Sequence, residues 1–188
     1  MNNIIENIKQ KFNITDINEK NNELIFISIS ASNLVQLVTY LKELEEFTHL
    51  VIISAVDYIE ENKFQLTYIL HNYPQNIDVA IRTKIDRNKA EMDSIHHLWK
   101  QAKTYQREIR EMFGIDFPGS PKVDEPMILE GWTEMPPMRR DFDTLKYSNE
   151  TYFPRPGRTH KDPQEYMKKK LYPNAPLTKT DKEYKNEK

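Results

Sequence analysis

The chain has 188 residues with 38% hydrophobic, 30% charged and 11% aromatic side chains and a net charge of −2, which suits one globular domain plus a sizeable extra segment. It contains no cysteine, so disulfides, a cysteine nucleophile and Cys-built zinc or iron–sulfur sites are excluded for this chain. Its four glycines (Gly114, Gly119, Gly131, Gly157) are too scattered for a phosphate-cradling loop or a dinucleotide fingerprint.

No apolar run approaches the roughly 20 residues of a membrane span. The opening MNNIIENIKQ has no cationic stretch followed by a long apolar core, so no secretory signal is expected and the chain reads as soluble and intracellular. The charge is divided unevenly. Residues 1–143 carry 16 Lys+Arg against 23 Asp+Glu, a net of −7, whereas residues 144–188 carry 11 against 6, a net of +5. Proline is skewed too: only Pro74 precedes residue 118, and the other ten follow.

In chain order, a weak opening helix places Ile4, Ile5, Ile8 and Phe12 on one face. Leu24–Ile29 reads as a strand. Ser32 is a plausible N-cap for a helix to about Phe47, with Leu34, Leu37, Val38, Leu41 and Leu44 at helical spacing. Leu50–Val56 is a dense β-branched run that suggests a buried strand. Lys63–His71 alternates through Phe64, Leu66, Tyr68 and Leu70. The clearest strand is Ile77–Ile85, with Ile77, Val79, Ile81 and Ile85 facing one way. From Asp93 or Ser94 the period turns helical, and Ile95, Leu98, Trp99, Ala102, Tyr105, Ile109, Met112 and Phe113 trace one stripe that ends at Gly114. Adjacent strands favour hairpins, so the fold class is α+β: a mostly antiparallel or mixed sheet of about four strands with packed helices.

Residues 1–115 are thus expected as a compact α+β domain. Beyond them, DFPGSPKVDEPMILEGWTEMPPMRRDFD is proline-punctuated and aperiodic, yet it keeps Phe117, Ile128, Leu129, Trp132, Met138 and Phe142. A disordered linker rarely holds so many large apolar residues. An extended partner-binding arm over 116–178 explains them better, with a flexible basic tail at 179–188.

Candidate chemistry is sparse. His96 and His97 are adjacent on the expected helix, about 100° apart, so they do not share one metal as i, i+4 histidines do; a structural role is favoured. Arg107 and Glu111 stand i, i+4, as do Lys103 and Arg107, which reads as an ordinary solvated ladder. Glu108 lacks a second carboxylate at a useful local spacing for acid–base work. In Glu134–Phe142 two prolines stiffen the backbone while Arg139 and Arg140 present forked donors. Met138 and Phe142 flank those charges, so a buried interface competes with a solvated basic loop. Lys168–Lys170, with aromatics nearby, suits nucleic acid or anionic lipid, but the sequence pI near 6.2 argues against a nucleic-acid protein.

Residues 94–117, SIHHLWKQAKTYQREIREMFGIDF, resemble the signature of the respiratory complex I thirty-kilodalton subunit family, known in bacteria as the C subunit of NADH-quinone oxidoreductase. Arg107, Glu108, Glu111, Met112, Phe113, Gly114 and Ile115 match it, while Gln106 stands where the family has its first Glu. Upstream, HLVIISAVDYIEENKFQLTYILHN looks like the family's strand–turn–strand, and PMILEGWTEMPPMRRDF resembles its closing motif.

The resemblance spans roughly Leu50–Phe142 and implies a subunit of the peripheral arm with no catalytic, cofactor or metal site of its own. Iron–sulfur clusters would lie in partner subunits. The partners implied are a hydrogenase-like large subunit (the D subunit) and the cluster-bearing small subunit, with quinone reduction and proton translocation belonging to the assembly. Localisation would be peripheral, on the cytoplasmic face of the cell membrane, with no nucleic acid and only indirect membrane contact. An equivalent subunit of a nickel–iron energy-converting hydrogenase, formate hydrogenlyase or F420H2 dehydrogenase is the alternative. Arg107, Glu108, Glu111, Phe113, Trp132, Met138, Arg139, Arg140, Asp141 and Phe142 are the expected interface residues.

Overall fold

The computed structural model describes residues 2–21 and 23–151. A first helix, α1 (Asn2–Lys11), buries Ile4, Ile5 and Ile8. Two strands follow, β1 (Ile14–Asn21) and β2 (Leu24–Ile29), then α2 (Ala31–Leu44) and β3 (His49–Tyr58). A 3-10 turn at Ile59–Glu61 leads to β4 (Lys63–Asn72), β5 (Ile77–Asp86) and α3 (Ala102–Phe113).

The five strands form one sheet in the order β1-β2-β5-β4-β3. The β3–β4 and β4–β5 pairs are antiparallel, as consecutive strands favour, whereas β2 runs parallel to β5 from Leu24↔Asp78 to Ser28↔Arg82. The sheet is therefore mixed. Alternation sorts its two faces. Ile25, Ile27, Ile53, Phe64, Leu66, Tyr68, Leu70, Val79 and Ile81 enter one core with Leu34, Leu37, Val38 and Leu41 of α2 and Ala102 and Ile109 of α3.

Several sequence expectations need correction. Strand β1 was not anticipated, because Ile14 and Ile17 are three apart and the rest of ITDINEKN is polar. A register shift between Ile14 and Asp16 breaks the two-residue period, so both isoleucines still reach the core. Helix α2 begins one residue before Ser32; its N-cap is Ser30, whose side chain makes no capping bond. It ends at Leu44 rather than Phe47, because Glu46 takes a positive φ of 60° and the fully buried Phe47 turns back into the core.

The largest correction concerns α3, which starts at Ala102 and not at Ser94. Ser94 Oγ accepts the His96 N–H at 3.1 Å and donates to Gln106 Oε1 at 2.9 Å. The bond to the N–H two residues on is that of a cap, but it caps a single turn over Ile95–Trp99 and not α3. Residues 95–101 form turns instead, with Trp99 N–H to Ile95 O and Ala102 N–H to Trp99 O. His96 and His97 consequently sit in a turn, not on a helix.

These turns cover the outer edge of β3. Thr48 O accepts the Trp99 indole N–H at 2.7 Å, Leu50 O the Gln101 amide, and Val51 O the Tyr105 hydroxyl at 2.9 Å. An edge strand of ten residues left bare would invite pairing with another chain. Gly114 closes α3 at φ 74°, its N–H bonded to Arg110 O. A Cβ there would meet both Arg139 Nη2 and Pro136 Cγ at 3.1 Å, so the position needs glycine twice over.

Residues Met1–Asp143 make one unit, and Thr144–Lys188 a second, of which α4 (Thr144–Thr151) is described. Tyr152, Phe153, the Arg155–Arg158 stretch, Tyr166, Lys168–Lys170, Tyr172 and the tail at 179–188 lie outside the described residues.

Candidate functional site

The last two turns of α3 grip the proline-rich segment that follows. Arg107 donates through Nε to Glu125 O at 2.6 Å and through Nη2 to Pro126 O. One turn on, Glu111 accepts three successive backbone N–H groups: Met127 at 2.8 Å, Ile128 at 3.0 Å and Leu129 at 2.9 Å. Arg110 pairs with Asp124 at 3.2 Å. The ladder expected between Arg107 and Glu111 gives way to this clamp. Both side chains satisfy main-chain groups of residues 125–129, a stretch interrupted by Pro126 and without a regular backbone ladder of its own.

Burial by itself pushes the Glu111 carboxyl up. The N–H groups of Leu129, Met127 and Ile128, helped by the Arg107 charge, outweigh that, so its pKa lies below the ordinary value of 4.5.

A second cluster fastens Arg139–Phe142. Its centre is Asp57, an acid at an inward position of β3 and only 4% exposed. Arg87 reaches it with both Nε (3.0 Å) and Nη2 (3.1 Å). The same guanidinium binds Asp141 at 2.5 Å, while the Arg140 backbone N–H donates to Asp57 Oδ2 at 3.0 Å. Arg140 itself pairs with Glu60 at 2.5 Å. The Arg87 and Arg139 guanidinium carbons both stand over the Phe64 ring, 5.7 and 5.3 Å from its centroid. Arg87 lowers the Asp141 pKa, and hydrogen bonding to Asp57 and then Asp141 raises that of Arg87. Each carboxylate of the cluster thus has an arginine partner, which a buried one such as Asp57 requires.

The structure brings most of the expected interface residues together at this end of α3. Phe113 packs edge-on against Phe64 at 6.1 Å, and its carbonyl accepts Arg139 Nε at 2.7 Å. Trp132 donates its indole N–H to Met135 O at 3.1 Å and lies 5.7 Å from the Phe142 ring. Met138 is 57% exposed. Glu108 is exposed on α3. The sequence reading missed Asp57, Glu60 and Arg87. Asp57 carried a usable signal: it follows Ile53 and Ala55 at the inward positions of β3, and an acid there needs a cation.

Among the described residues no group of three or more His, Asp or Glu is arranged to hold a metal ion. No helix among them is long and apolar enough to cross a membrane. The chemistry of the site is that of holding a chain segment: carboxylate to amide, guanidinium to carbonyl, and arginine to aspartate.

Comparison with known proteins agrees with this layout. The family described as respiratory-chain NADH dehydrogenase, 30 Kd subunit, matches residues 27–148, which include β3–β5, α3 and both clusters. The C subunit of NADH-quinone oxidoreductase from Moorella thermoacetica is 28% identical over 142 residues, covering 76% of this chain and 95% of that protein. A joined C/D form of the same oxidoreductase's subunits, the second such protein of Aquifex aeolicus, is 32% identical over 139 residues, 73% of this chain but 23% of that longer protein. Among solved structures, a chain of the membrane-bound sulfane sulfur reductase, an archaeal respiratory membrane complex, shares the fold. Its TM-score is 0.71 at 24% identity, over 80% of this chain and 90% of that one.

Proposed function

Because the chain belongs to the respiratory-chain NADH dehydrogenase 30 Kd subunit family, we propose that it is a cofactor-free assembly subunit in the peripheral arm of a complex I-like NADH:quinone oxidoreductase. It docks on the hydrogenase-like large subunit, beside the small subunit that carries an iron–sulfur cluster. Electron transfer to quinone and proton translocation belong to the assembly at the cytoplasmic face of the membrane. The residues beyond Ile115 act as the partner-binding arm, which the basic tail extends.

The observation that carries this reading is the use of charge at the end of α3. Arg107, Glu111, Arg139 and Asp141 bind the chain's own backbone and side chains and so set the shape of residues 124–142. A catalytic cluster would aim such groups at a substrate; here they shape a surface. Fused C/D chains, such as that of Aquifex aeolicus, support a large-subunit partner, since fusion keeps two subunits side by side. In this reading Trp132, Met138 and Phe142 supply apolar anchoring, and Arg107, Glu108, Glu111, Phe113, Arg139, Arg140 and Asp141 frame it.

Arg139→Ala and Arg140→Glu test the assignment. Both residues hold the segment at its far end, through Phe113 O and through Glu60. Each variant should lower the yield of assembled complex several-fold while the isolated chain keeps its circular dichroism and cooperative unfolding. Unchanged complex yield and quinone reductase activity in both variants would overturn it.

A further inference from the structure

Residues 127–139 close on themselves. Glu111 holds the backbone of Met127, Ile128 and Leu129, Met112 O accepts the Met138 N–H at 3.0 Å, and Phe113 O accepts Arg139 Nε at 2.7 Å. Three consecutive residues at the end of α3 thus grip both ends of the segment, which makes it an Ω-loop. Within it, Leu129 O accepts the Trp132 N–H at 3.0 Å and Met135 O the Trp132 indole at 3.1 Å.

The loop is fixed from the inside and presents apolar groups to the outside. Met127 is 40% exposed, Ile128 66%, Met135 42% and Met138 57%. A single exposed apolar side chain is ordinary, but four on one pinned loop mark an interaction surface. Ordering a loop costs conformational entropy. When the cost is met within the free chain, a partner gains the apolar burial without meeting it again. Methionine adapts its shape to a facing pocket.

Charge selects the occupant. The loop itself, residues 127–138, carries Glu130 and Glu134 and no basic side chain, a net of −2, and the Arg139 that follows it turns inward to Phe113 O. An anionic bilayer repels such a loop, whereas a protein surface with a basic rim attracts it. We propose that the Met127–Met138 loop inserts into an apolar, basic-rimmed pocket on the large partner subunit. This inference rests on the docking function argued above and names the element that makes the contact.

The test uses the full chain with the large subunit that co-isolates with it, and reads affinity and association rate. Ile128→Ser combined with Met138→Ser should weaken binding at least tenfold with the unfolding midpoint unchanged, since neither side chain belongs to the core. Leu44→Ser combined with Tyr73→Ser, equally exposed but elsewhere on the chain, should leave affinity as it was. Glu130→Lys with Glu134→Lys should slow association and flatten its salt dependence. Wild-type affinity in the Ile128/Met138 variant would overturn the loop assignment while leaving the docking function standing. An unaltered rate in the lysine variant would overturn the basic rim. A wild-type chain that does not bind the large subunit would overturn both readings, and binding to phosphatidylserine vesicles at physiological salt would overturn the choice of occupant.

Discussion

At the scale of single residues, Glu111 shows how one carboxylate substitutes for secondary structure. Residues 127–129 have no strand partner, so their three N–H groups converge on one acceptor. Bonds to a charged acceptor contribute about 1.5–3 kcal/mol, against roughly 0.5–1.5 kcal/mol for neutral ones. Glu111→Gln keeps the shape and removes the charge, so the loop should open about fivefold more often, equivalent to ~1 kcal/mol. Amide exchange at Met127, Ile128 and Leu129 checks this. Its pH dependence carries a sign. The folded pKa of Glu111 lies below the ordinary 4.5, so its stabilisation is complete above that value and is lost as pH falls through the depressed pKa. Protection of the three amides should fall in that acid window in the wild type and stay flat in the glutamine variant. Equal protection in the two proteins at neutral pH would contradict the clamp.

Asp57 belongs to the same scale and was the more informative residue to overlook. Its side chain is almost fully covered and Arg87 is its fork partner. Thirty positions separate the two in sequence, so the pair becomes visible only when β3, β4 and β5 are in register. Local spacing suggests i, i+4 partners for charges on a helix. It has nothing to say about partners that the sheet brings together.

At the scale of elements, strands with clean alternation were legible almost to the residue. Lys63–His71 and Ile77–Ile85 were expected, and β4 and β5 each run one residue further. Their buried faces repeat every second residue, and nothing interrupts them. β1 hid behind a bulge. The stretch Ile95–Gln101 shows the opposite failure, in which a helical stripe does not make a helix. Ile95 and Trp99 are buried as the stripe implies, but the backbone bonds stay in separate turns, from Ile95 O to Leu98 and Trp99 and from Trp99 O to Ala102.

Ser94→Ala tests the part this side chain plays. In the turn seen here the substitution removes a bond to the fully buried Gln106 and should cost about 1–3 kcal/mol, read as a lower thermal midpoint. A raised midpoint would contradict that part.

At the scale of the whole molecule, the sheet and its three packed helices serve to hold α3, and α3 holds the loop. The candidate site was half legible. Arg107, Glu111, Phe113, Trp132, Met138, Arg139, Arg140, Asp141 and Phe142 stand out from residue type and from the family resemblance, and the structure gathers them near one helix end. Their contacts within the chain were not legible, because a helix period predicts neighbours on the helix and not the loop that folds back on it. Charge that seemed solvated turned out to order main chain, and Ile128 and Met138, which seemed to need burial, stand outside. The proposed docking on another subunit would use that inversion.

The most direct measurement is a mild-detergent pull-down of the tagged chain from native membranes, with partners identified by mass spectrometry and bound nickel assayed. The account predicts a hydrogenase-like large subunit in stoichiometric yield, without nickel and with quinone reductase activity. Recovery of the same partner with nickel would instead place the chain in a hydrogenase-type complex, and recovery of the chain alone would contradict the docking function itself.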